Sequence, residues 1–418
     1  MASLPRMIRI RQEFPRPTIP DLASTMNGEL ARLRALTAMK AGARVAVAVG
    51  SRAILDIDKV TKIVCGYLSD MGTRPFIVPA MGSHGNATAH GQAQILSSLG
   101  ITERTMGVPI HSSIETTQLG VTPEGIPVYI DKNAFEADAV LLINRIKPHT
   151  DFQGKIGSGL MKMMTIGLGK PRGAAECHAA ATRYGHEHTI RTIARFTLAT
   201  GHICAGIGLV ENAYHELARV VCLPAGEIED VEMTLLEEAR RLMPRLPFDP
   251  VDLLIIDEMG KNISGTGIDP NITGRCMNGA LIEQTKPVVR RILVRDLTPE
   301  SLGNAVGIGL ADFTTKRLVD KIDFEATYTN CLTALATANA RLPIIFGTDR
   351  QAVEAAVTAA LPYQSVAARV LRIKNTLVLD DLLVSEAFAT ELRERHDLTI
   401  VGPPHALPFD TAGNLIST

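Results

Sequence analysis

The sequence predicts an α/β protein of two α/β domains with mainly parallel sheets and an active-site cleft between them. Three observations predict it. Short apolar runs, such as RVAVAV at 44–49 and AVLLI at 139–143, alternate with stretches of helical apolar spacing. The chain has 418 residues, more than one ordinary core organises. The strand–helix pattern restarts after Phe248-Asp249-Pro250, which reads as a boundary.

The elements follow in order. Residues 44–49 form a buried strand. Residues 56–71 form a helix with Val60, Ile63, Val64, Tyr67 and Leu68 on one face. A second strand at 75–78 precedes a helix at 88–99, and a third strand occupies 139–143. Residues 154–170, GKIGSGLMKMMTIGLGK, break the pattern with five glycines around Lys162. Helices are expected at 171–184 and 187–199. Beyond the boundary come a strand at 251–257, a Gly-rich loop at 260–275, a strand at 288–294 and a helix at 304–320. The spacing gives an N-terminal domain, 1–248, joined by the tail 386–418, and a C-terminal domain, 249–385, closing over the cleft.

Composition excludes several classes. The net charge of −1 gives no long-range attraction to nucleic acid or anionic lipid, so neither is expected as a partner. Aromatic residues are 4% and Trp is absent, which leaves no base-stacking platform. Six scattered cysteines without a CxxC argue against a zinc ribbon, an iron–sulfur run or a disulfide framework, and fit a reducing compartment. MASLPRMIRIRQEFPRP has no apolar stretch of signal-peptide length, and no segment is long enough to span a bilayer. A cytoplasmic enzyme acting on a small molecule is the expectation.

Ligands of open α/β sheets bind beyond the carboxyl ends of the strands. The first three strands are followed there by Gly50-Ser51-Arg52, Met81-Gly82-Ser83-His84-Gly85 and Asn144-Arg145-Ile146-Lys147-Pro148-His149. His84 and His149 are candidate acid–base residues, because imidazole exchanges protons near neutral pH. Lys162, in apolar surroundings, is a candidate nucleophile or attachment point. His178 is a candidate metal ligand. His186 and His188 read as exposed polar residues at a helix start. Lys261, Asn262, Ser264 and Thr266 of the 260–275 loop are candidate substrate-binding residues.

VAVGSRAI, VPAMGSHG and NRIKPHTDFQGKIGSGLMKMM together resemble the nickel-dependent lactate racemase superfamily of 2-hydroxyacid racemases and epimerases. The resemblance implies a nickel-pincer nucleotide (pyridinium-3-thioamide-5-thiocarboxylic acid mononucleotide) with Ni2+. It places the cofactor on Lys162, with Arg52, Ser51, Gly82, Gly157 and Gly159 around it. His178, sixteen residues after Lys162, becomes the metal ligand. His84 and His149 become two alternating acid–bases flanking the substrate, while hydride passes between C2 and the cofactor. Cofactor biosynthesis proteins become partners, and a homo-oligomer is an open expectation.

The chain departs from the family at Gly85, where many members have arginine, and at Val49, where an aspartate is usual. Lys155 is a rival anchor. The 260–275 loop replaces the family's familiar Tyr-Gln and Lys pattern, which favours a larger or more polar 2-hydroxy acid than lactate. The competing readings are a zinc-dependent hydrolase or lyase built on His84, His149 and His178, and a non-catalytic nucleotide- or acid-binding homologue.

Overall fold

The computed structural model describes residues 4–51, 54–150, 152–278, 281–361 and 365–416. The chain divides into two compact units, each with its own sheet and core.

One unit comprises Arg16–His149 and Gln153–Met243. Its sheet has five strands: β1 (Arg44–Val49), β2 (Arg74–Pro79), β3 (Ala139–Arg145), β4 (Ile203–Glu211) and β5 (Leu217–Pro224). Their order is β2-β1-β3-β4-β5; the first four are parallel and β5 runs antiparallel to β4. β1 is buried at every position after Arg44, as a central strand covered on both faces requires. Helix α1 (Ile57–Asp70) turns Val60, Val64 and Leu68 onto the core at helical spacing, beside Val45, Val47 and Ile77. This unit also holds helices α2 (Ala89–Ser98), α3 (Lys170–Tyr184), α4 (His186–Ala199) and α5 (Ile228–Leu242), and the helix Leu22–Ala31.

The other unit comprises Met1–Pro15, Thr150–Phe152 and Pro244–Thr418. Its eight-stranded sheet runs Ile344–Phe346, Phe313–Thr315, Val289–Val294, Val251–Ile256, Val370–Ile373, Asp381–Ser385, Met7–Gln12, Leu398–Ile400. The first five strands are parallel and the last three antiparallel. Met7–Gln12 pairs with Asp381–Ser385, so the first residues and the tail beyond 386 both lie in this unit. Sequence spacing assigned both to the first domain; strand pairing between residues far apart in the chain decides otherwise.

The helix expected at 304–320 is not formed. The segment holds a short 3-10 turn at Ile308–Leu310, the strand Phe313–Thr315 and a single helical turn at Lys316–Val319. Gly307 sits at φ +96 and the aromatic and β-branched Phe313, Thr314 and Thr315 favour a pleated sheet over a helix. Among the described residues, no helix is long and apolar enough to cross a membrane.

Candidate active site

The chain leaves β1 for β2 on one side and later returns to β3 on the other. The carboxyl ends of β1 and β3 therefore flank the switch point, where an open parallel sheet leaves a crevice. Gly50 follows β1 there; a Cβ on it would lie 3.1 Å from the Asn144 amide oxygen and 3.5 Å from the Met163 methyl. Asn144, near the end of β3, donates through Nδ2 to the Gly159 carbonyl at 2.9 Å.

A small antiparallel bridge brings His149 to Lys162. Lys147 and Ser158 exchange backbone hydrogen bonds of 2.9 and 2.8 Å. Gly157 permits this approach, because a Cβ there would fall 2.4 Å from the Lys147 carbonyl oxygen. Lys162 ends the helical turn Leu160–Lys162, and a π-helical turn, Met163–Gly167, follows at once. Such turns are rare and often sit at functional sites. The Lys162 Nζ lies 2.5 Å from His149 Nε2. An ammonium has only donors, so Nε2 accepts.

His149 is buried, and its proton affinity is held well below the usual histidine range. Burial is the main cause, followed by the positive charge of Lys162 and then by His186, His178 and Lys147. His178, on α3, is also pushed down, to about 4, by burial first and Lys162 second. Both rings are therefore neutral at pH 7. The His178 Nδ1 is buried without a hydrogen-bond partner among the described residues. An orphaned imidazole nitrogen beside an amine suits a ligand or metal that the chain itself does not supply. His186 is half-buried rather than exposed, its ring 6.3 Å from that of His178, edge to face. His188 is exposed and lies 3.4 Å from Glu124.

The other histidine stands at the neighbouring strand end. His84 is exposed in the turn after β2, with Nδ1 2.5 Å from the Ser51 hydroxyl. Gly82 has φ +58, and a Cβ would meet Ile166 at 2.9 Å; its N–H donates to the Gly167 carbonyl at 3.1 Å. The His84 loop is thereby fastened to the turn that follows Lys162. Arg52 lies outside the described residues.

One acidic residue escaped the sequence reading. Glu232, on α5, is wholly buried and accepts the Met161 N–H at 3.0 Å. A Cβ on Gly159 would come within 2.3 Å of its carboxylate. Its signal was present: Glu232 occupies the apolar stripe formed by Ile228, Leu235, Leu236 and Ala239. Burial raises its pKa to about 7, with the Met161 hydrogen bond opposing. The unfolded chain then releases this proton near 4.5 while the folded chain holds it, so stability is lost as pH rises from 4.5 through 7. Urea unfolding of Glu232→Gln against the parent should show the variant gaining up to about 3 kcal/mol in relative stability between pH 4.5 and 8. Identical pH dependence in the two would refute the assignment.

The 260–275 loop belongs to the other unit. Lys261 Nζ donates to the Gly265 carbonyl at 2.6 Å and to Asn330 at 2.9 Å. Asn262 accepts from Thr298 at 2.7 Å. Thr266 donates to the Ile268 carbonyl at 2.8 Å, and Ser264 and Thr266 are buried. These polar groups brace the loop itself. Lys155 is exposed, whereas Lys162 is drawn into the histidine cluster.

No curated protein matches the sequence. The chain is similar to the solved structure of the lactate racemase apoprotein from Thermoanaerobacterium thermosaccharolyticum, at 12% identity and a TM-score of 0.49, over 89% of this chain and 98% of that chain. Residues 27–189 match the family model described as the lactate racemase N-terminal domain. That span carries Ser51, His84, His149, Lys162, His178 and His186.

Proposed function

We propose that the chain is a racemase or epimerase that inverts C2 of a 2-hydroxy acid with a lysine-held nickel-pincer nucleotide. The observation that carries the reading is the cluster of Lys162, His149 and His178 at the carboxyl edge of the parallel sheet. Lys162 would hold the cofactor covalently, and the orphaned His178 Nδ1 suits it as the protein's ligand to nickel. When bound, the group supplies a reversible hydride acceptor for C2.

The remaining work falls to the chain's own residues. Inversion needs a base for the hydroxyl proton of each enantiomer. His149 is neutral at pH 7 and can accept that proton without first losing one. A cofactor held covalently on the Lys162 nitrogen would remove its charge, and with it one of the causes that depress His149. His84 is the second base. The Ser51 hydroxyl can donate to Nδ1 or accept from it, so either tautomer of His84 is supported. Among the described residues no three His, Cys, Asp or Glu side chains are arranged to hold a metal ion. A metal bound at His178 would thus take its other donors from the cofactor.

The test is co-expression with the cofactor's biosynthesis proteins, followed by intact-mass and metal analysis. A mass adduct on Lys162 with nickel is expected, absent in Lys162→Met. The loaded protein is then screened against C2-deuterated 2-hydroxy acids. Optical inversion with the label kept supports hydride transfer. Zinc without an adduct, or inversion with complete loss of the label to water, would count against the reading.

A further inference from the structure

Lys170 is the first residue of α3 and has no exposed surface. Its backbone is left-handed, φ +56, which a branched or long side chain adopts only when its surroundings hold it there. Its ammonium donates to two acceptors and forms an ion pair with a third group. Nζ lies 2.5 Å from the Pro79 carbonyl, 3.0 Å from Gln92 Oε1 and 3.0 Å from Asp131 Oδ2. Asp131 and Gln92 are likewise fully buried. Two of these acceptors lead toward His84. Pro79 is the last residue of β2, directly before the His84 loop. Gln92 donates its amide onward to the Gly82 carbonyl at 2.8 Å and to the His84 carbonyl at 3.3 Å.

The other side of Lys170 leads to the lysine anchor. The π-helical turn after Lys162 ends at Gly167, three residues before Lys170, and α3 carries His178 two turns further on. A buried charge is costly unless paired and hydrogen-bonded, so this one is expected to fix a single arrangement of the groups it bonds. Gln92 suits the relay because one face accepts from the ammonium while the other donates to carbonyls. No carboxylate or alkyl side chain of that size can do both.

We propose that Lys170, acting through Gln92, is a positioning residue that sets the His84 loop against the Lys162 turn and the His178 helix. The inference rests on the two-base reading for its catalytic meaning, but the positioning itself is a property of the chain without cofactor. Asp131 balances the ammonium and anchors it to the strand Pro127–Asp131, while its other oxygen accepts the Ala134 N–H at 3.0 Å. The Lys170 amine is pulled below its ordinary range by burial, and Asp131 opposes that pull.

The decisive variant is Gln92→Glu. It keeps the size and the acceptor for Lys170, yet removes the donor to the Gly82 and His84 carbonyls. Carbethoxylation of His84 by diethyl pyrocarbonate, read by peptide mass spectrometry on the cofactor-free protein at fixed pH, reports whether the loop still holds His84 to Ser51. The rate at His84 should rise about fivefold, the scale of one lost hydrogen bond, while that at exposed His188 stays unchanged. In loaded protein kcat should fall at least tenfold with KM moving less than twofold. The paired variant Lys170→Met with Asp131→Asn leaves no lone buried charge and should show the same two effects. Folded Gln92→Glu protein with an unaltered His84 rate would overturn the positioning role. An altered His84 rate in loaded protein that shows no turnover even in the parent would leave the positioning intact and refute the racemase reading instead.

Discussion

Replacing His149 by alanine is expected to lower turnover of a 2-hydroxy acid by the loaded protein about 10²–10⁴-fold, the range for loss of a positioned acid–base group. The adduct on Lys162 should survive. His84→Ala should act on the same scale. The equilibrium between the two C2 configurations belongs to the substrate, so each variant must lower kcat/KM equally in both directions. A variant with unequal losses would reveal a side reaction or an error in the assay. The setting of His149 should show in the pH profile. His149 is buried and depressed by burial and by Lys162, whereas His84 is exposed at a loop tip. Acid inactivation through His149 should therefore set in only below the usual histidine range. Steady-state kinetics from pH 5 to 8 on the two single variants checks this. Turnover that survives both alanine substitutions would eliminate the two-base mechanism.

The largest stability effect is expected at Asp131. Asp131→Ala removes the counter-charge of Lys170 in a site where neither side chain is exposed. The loss should be about 3–5 kcal/mol, as for other buried pairs broken on one side. It should shrink as pH is raised toward 10. An unpaired buried lysine binds its proton less tightly than the unfolded chain does, so raising the pH favours the folded state. Urea unfolding at pH 7 and pH 9.5 measures both features. A loss below 1 kcal/mol at pH 7 would show that the pair is not the anchor of this region. Asp131→Asn keeps an acceptor for the Ala134 N–H and should separate the charge from the helix cap.

The π-helical turn joins these two regions. Its residues Met163, Met164, Thr165 and Gly167 are buried, and the Thr165 hydroxyl donates to the Met161 carbonyl at 2.9 Å. The turn is gripped from three sides. Glu232 takes the Met161 N–H, Asn144 donates to Gly159, and Gly82 donates to Gly167. A lysine carried on so constrained a segment loses little further freedom when it is derivatised. Preorganisation of this kind supports the covalent attachment proposed for Lys162.

The sequence by itself determined the α/β class, the strands at the centre of the first sheet and the strand-end positions of His84 and His149. Those features are local. A buried parallel strand is a continuous apolar run, and the residues after it stand at the carboxyl edge by connectivity alone. The Gly-rich segment also marked a stretch of close approach, since glycines at 157 and 159 sit where a backbone carbonyl and a carboxylate come within Cβ distance. Only the tertiary structure decided the rest. The pairing of Met7–Gln12 with Asp381–Ser385 joins the two ends of the chain, which no local pattern records. The contact between His149 and Lys162 depends on a bridge across a loop. His186 reads as a polar helix start, and its approach to His178 follows from the bend between α3 and α4. Lys170, Asp131 and Gln92 lie far apart in sequence, and each alone looks like an ordinary surface residue. Their meaning comes from burial, which turns three polar side chains into one network because none of them can be satisfied by water.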